Sequence, residues 1–67
     1  MNKCELKSKA DDIAKTIDKL AEAMKIAALA SAVDPAVSKY VMFDLARASI
    51  SLDDAAECVR RAVEELT

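Results

Sequence analysis

The most reactive side chains in the sequence are the two thiols, Cys4 and Cys58. The 67 residues include no His, so a thiolate at either position would lack the usual general base. Two isolated cysteines cannot complete a tetrahedral metal site. Cys58 flanks an apolar stripe, where Cys commonly packs as a small hydrophobic residue. The sequence therefore predicts two structural, reduced thiols, and neither a metal nor another cofactor.

Acidic pairs are the second feature that could support chemistry. They are Asp11-Asp12, Asp53-Asp54 and Glu64-Glu65. General acid–base catalysis needs two carboxyl groups held in a cleft with well-separated pKa values. Adjacent acids on helices, and especially at helix starts, are usually solvated, and a small helical rod has little concavity from which to exclude water. We therefore predict that the protein is not an enzyme and has no small-molecule substrate.

The charge balance bears on the class of partner. Ten basic residues oppose twelve acidic ones, which gives a net charge of −2. Such a balance creates no long-range field for a phosphate backbone or an anionic membrane. The start of the chain has no apolar segment typical of a signal peptide, and no apolar run approaches the roughly 20 residues that span a bilayer. We expect a cytoplasmic protein, and its size and simplicity suggest a prokaryotic source.

The elements that must position these residues are helices. The sequence contains no Gly and one Pro, which favours helix almost throughout because Gly marks tight turns. One all-α domain, residues 1–67, is predicted. Helix 1 covers about residues 3–32 and helix 2 about residues 35–48, since Asp34 suits an N-cap and Pro35 the first position of a helix.

A third helix, about residues 52–66, is predicted after an interruption at Ser49-Ile50-Ser51. Ser51 resembles an N-cap, and Asp54 three residues later approximates a capping box. If the interruption is a kink, the chain forms an antiparallel helical hairpin. If it is a full reversal, the chain forms a three-helix bundle. The hairpin is favoured, and both arrangements remain open at this point.

Helix 1 carries a heptad stripe, which favours helix–helix packing. Its members are Leu6, Ala10, Ile13, Ile17, Leu20, Met24, Ala27 and Ser31. An Ala-rich chain of this length buries little apolar area alone, so we expect assembly as a homodimeric helical bundle. The residues predicted to form the self-association seam are Leu6, Ile13, Ile17, Leu20 and Met24.

Residues 43–60 are similar to a helix-turn-helix motif, because a small-Ile-Ser turn precedes an amphipathic helix that ends in arginines. The resemblance implies a nucleic-acid-binding regulator that uses helices 2 and 3. Asp44 stands where the motif wants an apolar residue, and Asp53, Asp54 and Glu57 place negative charge at the start of the reading helix. Nucleic acid is therefore the second hypothesis.

The first hypothesis is a small non-enzymatic protein–protein interaction module: an adaptor, a regulatory subunit or a small inhibitor. Aromatic and Met side chains near Arg are common interface anchors. The predicted partner-binding residues are Ile26, Leu29, Tyr40, Met42 and Phe43, around the Asp34-Pro35 turn. The competing interpretation is that these side chains complete the core of the monomer or homodimer.

Overall fold

The Gly-free sequence forms two long helices joined by a short connection. A computed structural model describes residues 1–66, with α1 spanning Lys3–Val33 and α2 spanning Lys39–Glu65. The helices run antiparallel as a hairpin whose Cα atoms extend over 51 × 14 × 14 Å. Within residues 1–66, neither helix combines the length and the apolar character that crossing a membrane would require.

The start of α1 is fixed by a reciprocal cap. The backbone N–H of Glu5 donates to the side-chain oxygen of Asn2 at 2.8 Å, and the Asn2 amide donates back to the Glu5 carboxylate at 3.4 Å. The backbone N–H of Glu5 is one of the groups that the start of a helix leaves without an intrahelical acceptor, and Asn2 supplies that acceptor. Glu5 also places negative charge in the first turn, where the helix dipole favours it.

The end of α1 follows from the single proline. Asp34, directly before Pro35, has the extended conformation that a proline imposes on its predecessor. Its side chain accepts a hydrogen bond from the backbone N–H of Ala36 at 2.9 Å, and its carbonyl accepts one from Val37 at 3.1 Å. Residues 34–37 are therefore a hydrogen-bonded turn with proline at its second position.

The predicted start of the second helix at Pro35 is consequently wrong. Asp34 uses its side chain to close the turn rather than to cap a helix, and α2 begins four residues later, at Lys39. Ser38 is the actual N-cap, and its hydroxyl accepts a hydrogen bond from the backbone N–H of Tyr40 at 3.2 Å. Both residues suit the N-cap position, and the proline turn decides between them.

The division into three helices is also wrong. The predicted helices at residues 35–48 and 52–66 are one continuous helix, α2, so the three-helix bundle does not form and the chain is a two-helix hairpin. Ser49 is buried within α2, and its hydroxyl donates to the carbonyl oxygen of Ala46 at 2.8 Å. A serine that bonds back within its own helix need not interrupt it. The predicted cap at Ser51 is therefore absent.

The core lies along the line where the two helices touch. Among residues 1–66, the buried apolar side chains are Ala14, Ala21, Ala28, Ala56 and Val63. The first three are seven residues apart on α1, and Ser49, Ala56 and Val63 repeat the same spacing on α2. Small residues that recur every seven positions along both helices allow the two backbones to approach closely.

On each helix, the residues that face the other helix form a contact row, in which small buried residues alternate with half-buried ones that are mostly larger. On α1 the half-buried members are Ala10, Ile17, Met24 and Ser31. On α2 they are Met42, Leu45, Leu52, Val59 and Leu66. The contact row of α1 thus shares Ala10, Ile17, Met24 and Ser31 with the predicted stripe. Its other members are Ala14, Ala21 and Ala28. The predicted stripe instead has Ile13, Leu20 and Ala27 at the corresponding places.

Candidate protein interaction surfaces

The side chains with the most intrinsic reactivity lie on the surface. Cys4 and Cys58 are exposed free thiols, and a guanidinium nitrogen of Arg61 lies 3.3 Å from the sulfur of Cys58. In the part of the chain that the structure describes, no three Cys, Asp or Glu side chains are grouped so that they could hold a metal ion. The surface features that remain to be explained are charged and apolar faces.

One long side of the hairpin carries ion pairs between the helices. Asp18 bonds Arg60, and the ammonium group of Lys25 lies 3.2 Å from the Asp53 carboxylate. Both pairs are half exposed, so water screens them and each contributes little to the stability of the fold. The Asp18 hydrogen bond and charge raise the pKa of Arg60 above its ordinary value. We call this side the ion-paired face.

The ion pairs also show how the two helices are aligned along their length. Asp18 and Lys25 are seven residues apart on α1, as are Asp53 and Arg60 on the antiparallel α2. This register places Ala21 close to the level of Ala56, where both side chains are almost completely buried. The same register places Leu20 level with Ala55 on the opposite long side.

That opposite side is apolar along most of its length. Leu20 and Ile13 are two and five residues from Asp18, which puts them roughly on the far side of α1 from the ion pairs. The residues of this side are Leu6, Ile13, Leu20 and Ala27 on α1 and Val41, Ala48, Ala55 and Ala62 on α2. We call this set the apolar face.

The apolar face consists of large side chains on α1, which form a ridge, and small side chains on α2, which form a trough. Leu6, Ile13 and Leu20 are all about half exposed, and Ile13 reaches 53%. Across the contact line from them are the small side chains of Ala48, Ala55 and Ala62. At the open end of the hairpin, a cleft of about 420 Å³ is lined by Leu6, Ala10, Ala62, Glu65 and Leu66. This cleft shows that Leu6 and Ala62 border the same side of the molecule.

A second apolar area surrounds the turn. Leu29 follows Lys25 by one helical turn, and Ile50 precedes Asp53 by about one turn, so both flank the ion-paired face in the half of the hairpin nearer the connection. Phe43 is seven residues before Ile50 and therefore lies on the same side of α2. Leu29 is 71% exposed, Ile50 61% and Phe43 50%. We call these three residues the turn-end patch.

More exposed apolar side chains border the turn-end patch. Ile26 and Val33 continue the exposed row of α1, and Tyr40 lies at the start of α2 with 68% exposure. The ammonium group of Lys39 lies 5.7 Å from the centre of the Tyr40 ring, within the range of a cation–π contact. Large apolar side chains thus surround the turn on its outer surfaces.

The structure separates the predicted partner-binding residues into two groups. Ile26, Leu29, Tyr40 and Phe43 are exposed near the turn, whereas Met42 lies half-buried on the contact row of α2. In the single hairpin, Tyr40 and Phe43 therefore do not complete a core. Val33 and Ile50 are also exposed in this half of the hairpin, and neither was among the predicted partner-binding residues. The seven-residue spacing from Phe43 to Ile50 was the available signal, and it was hidden by placing Ile50 in an interruption.

The predicted self-association residues are divided in the same way. Ile17 and Met24 are half-buried on the α1 contact row, while Leu6, Ile13 and Leu20 remain on the apolar face. The three alanines of α2 that form the trough of that face were not among the residues predicted for self-association. Their signal is a seven-residue repeat of small side chains, which is weaker than a repeat of Leu or Ile.

The helix-turn-helix is not formed in the structure. Its turn was placed at Ser49-Ile50-Ser51, which lies inside the continuous helix α2. The structure therefore lacks the helix-turn-helix geometry on which the nucleic-acid-binding hypothesis was based.

No protein family, curated protein or solved structure matches the chain.

Proposed function

We propose that the protein is a small non-enzymatic interaction module of the cytoplasm that binds another protein through the turn-end patch. An adaptor, a regulatory subunit and a small inhibitor all act in this way. The two exposed free thiols support a reducing compartment, where cysteines stay unpaired. The exposure of Leu29, Phe43 and Ile50, all in the half of the hairpin nearer the turn, is the observation that carries the proposal.

The composition of the patch supports a protein partner. Aromatic and aliphatic side chains that are exposed on the free protein become the anchors of interfaces when a partner removes them from water. Single exposed hydrophobic residues are normal on any surface, but a concentration of large ones in one region is typical of an interaction site. Ile26, Val33 and Tyr40 extend the apolar character around the turn.

The test compares a patch variant with a charge variant of the same helix. Leu29→Asp combined with Phe43→Asp removes the apolar anchors, whereas Lys19→Asp changes an exposed charge on α1 away from the patch. Each chain is used as bait in an extract of the native host, and the captured proteins are quantified. We expect a partner retained by the wild type and by Lys19→Asp, and lost by the patch variant. Titration of that purified partner should show at least about a 30-fold weaker Kd for the patch variant, as for an anchor residue.

A stability measurement checks the same proposal from the other side. Because Tyr40 and Phe43 are exposed, Tyr40→Ala and Phe43→Ala should change the free energy of unfolding of the chain by less than about 1 kcal/mol each. A loss of about 3 kcal/mol, typical of a buried aromatic side chain, would show that the rings complete a core. That result would contradict binding through the turn-end patch.

A further inference from the structure

The apolar face is a surface distinct from the turn-end patch, and its shape specifies its occupant. Leu6, Ile13 and Leu20 form a ridge on α1, and Ala48, Ala55 and Ala62 form a trough on α2. A partner that fits must present a trough opposite the ridge and a ridge opposite the trough. A second copy of the hairpin presents both at the same spacing.

We propose that the apolar face binds a second copy of this chain in a four-helix dimer, with α1 of each copy packed on α2 of the other. A twofold axis parallel to the helices produces this arrangement and keeps every pair of neighbouring helices antiparallel. Ile13 of one copy then lies over Ala62 of the other, and Leu20 over Ala55. The open-end cleft beside Ala62 and Leu66 receives Leu6 of the second copy.

The charges beside the apolar face agree with the same arrangement. Lys9 borders the face on α1, and Glu65 borders it on α2, close to the same level of the hairpin. Within one chain these side chains lie on opposite outer edges of the face. The twofold axis brings Lys9 of one copy beside Glu65 of the other, twice per dimer, so opposite charges meet at both edges. The alternative in which α1 packs on α1 would stack the two ridges and leave the troughs unfilled.

The apolar face has the size of a small interface. It runs from Leu6 to Ala27 on α1, about 32 Å at 1.5 Å per residue, and the hairpin is 14 Å wide between Cα atoms. These dimensions give roughly 440 Å² per copy, or about 900 Å² for the pair, which is at the low end of specific interfaces. The opposite side of the hairpin carries the Asp18–Arg60 and Lys25–Asp53 pairs and so offers no comparable strip. The apolar face is thus the long surface suited to self-association.

Sedimentation equilibrium tests the oligomeric state. We expect the wild type to sediment as a dimer of its 7.2 kDa chain. Ile13→Glu or Leu20→Glu should weaken the dimer by at least about 100-fold, because each would bury a charge without a partner. The control, Leu29→Glu on the turn-end patch, should remain dimeric. A monomeric wild type, or a dimer lost only with Leu29→Glu, would overturn the proposal and assign the apolar face to another occupant.

Cross-linking tests the arrangement without removing an apolar residue. Thr16 borders the apolar face on α1, and the proposed axis places it beside Cys58 of the second copy. In a Cys4→Ser chain, Thr16→Cys should give a product of twice the chain mass with a short bismaleimide. Lys15→Cys, on the other side of α1, should not. Equal yields from both variants, or no product with Thr16→Cys, would overturn the proposed packing even if the chain is dimeric.

The two tests also separate this inference from the proposed function. Leu29 and Phe43 variants should abolish partner capture while leaving the dimer intact. Ile13 and Leu20 variants should dissociate the dimer while leaving the turn-end patch exposed. Either proposal can therefore fail while the other stands.

Discussion

At the scale of single residues, the alanines of the contact row decide how the helices meet. Ala14, Ala21 and Ala28 have no side-chain atoms beyond Cβ, so the backbone of α2 can lie close to that of α1 at each of them. Leu or Ile at the same positions would hold the helices apart. The larger residues beside them are therefore displaced to the outer edges, where Ile13 and Leu20 remain exposed.

We expect Ala21→Leu to destabilise the hairpin by about 1–3 kcal/mol, because Ala21 is only 1% exposed and a larger side chain must push the helices apart. The matched control is Ala32→Leu, an exposed position of the same helix, which should change stability by less than about 0.5 kcal/mol. Urea unfolding followed by circular dichroism measures both variants. Equal effects would contradict close packing at Ala21.

At the scale of the helix, a different serine caps α2 from the one predicted. Ser38 was not expected to cap, yet its hydroxyl accepts the backbone N–H of Tyr40 and begins α2. Ser51 was expected to cap, yet it lies exposed inside α2 with helix on both sides. The identity of the side chain cannot separate these cases, because Ser is favoured at caps and tolerated in helices.

A matched pair of substitutions tests which serine is the cap. Ser38→Ala should lower the free energy of unfolding by about 1 kcal/mol, since it removes an N-cap. Ser51→Ala should leave it unchanged or raise it by up to about 0.5 kcal/mol, since Ala is the better residue inside a helix. Thermal unfolding of the two variants measures the difference. If Ser51→Ala were the costly one, a helix start at residue 51 would be indicated instead.

The sequence was sufficient for the helical content, the end of α1 and the antiparallel direction. Helix 1 was predicted for about residues 3–32 and spans Lys3–Val33, because the proline and the absence of glycine leave little choice. It was insufficient for the start and continuity of α2. Both depend on hydrogen bonds that Asp34 and Ser49 make with their own neighbourhoods, and several such bonds are open to these side chains.

The contact row of α1 was also ambiguous in the sequence. Two heptad rows share Ala10, Ile17 and Met24, and they differ only in whether Ile13 and Leu20 or Ala14 and Ala21 alternate with them. Hydrophobicity favours the first row, whereas close approach to a small-residue row on α2 favours the second. A pattern confined to one helix does not contain that information, because the partner helix decides it.

At the scale of the whole molecule, the hairpin is a thin object with a narrow core. No large side chain is fully buried in the part of the chain that the structure describes, and the buried apolar residues are small. A chain of this size gains stability chiefly by adding contacts from outside itself. Self-association on the apolar face would supply such contacts along most of the length of both helices.

If the dimer is more stable to unfolding than the monomer, the melting temperature must depend on protein concentration. We expect Tm to rise by several degrees when the wild-type concentration increases 100-fold, because mass action stabilises the associated state. The Leu20→Glu chain should show little change over the same range. Differential scanning calorimetry measures both chains, and a wild-type Tm independent of concentration would contradict the coupling.

The antiparallel course of the hairpin also determines where the chain can be attached to something else. Asn2 and Leu66 both lie at the end opposite the Asp34-Pro35 turn. The residues of the turn-end patch are therefore about 24–41 Å from them along the helices, at 1.5 Å per residue. A fluorophore, affinity tag or sensor surface joined at either terminus therefore leaves the patch facing outward. The same attachment sits beside Leu6 and Leu66, so it would report on, or obstruct, the open-end cleft.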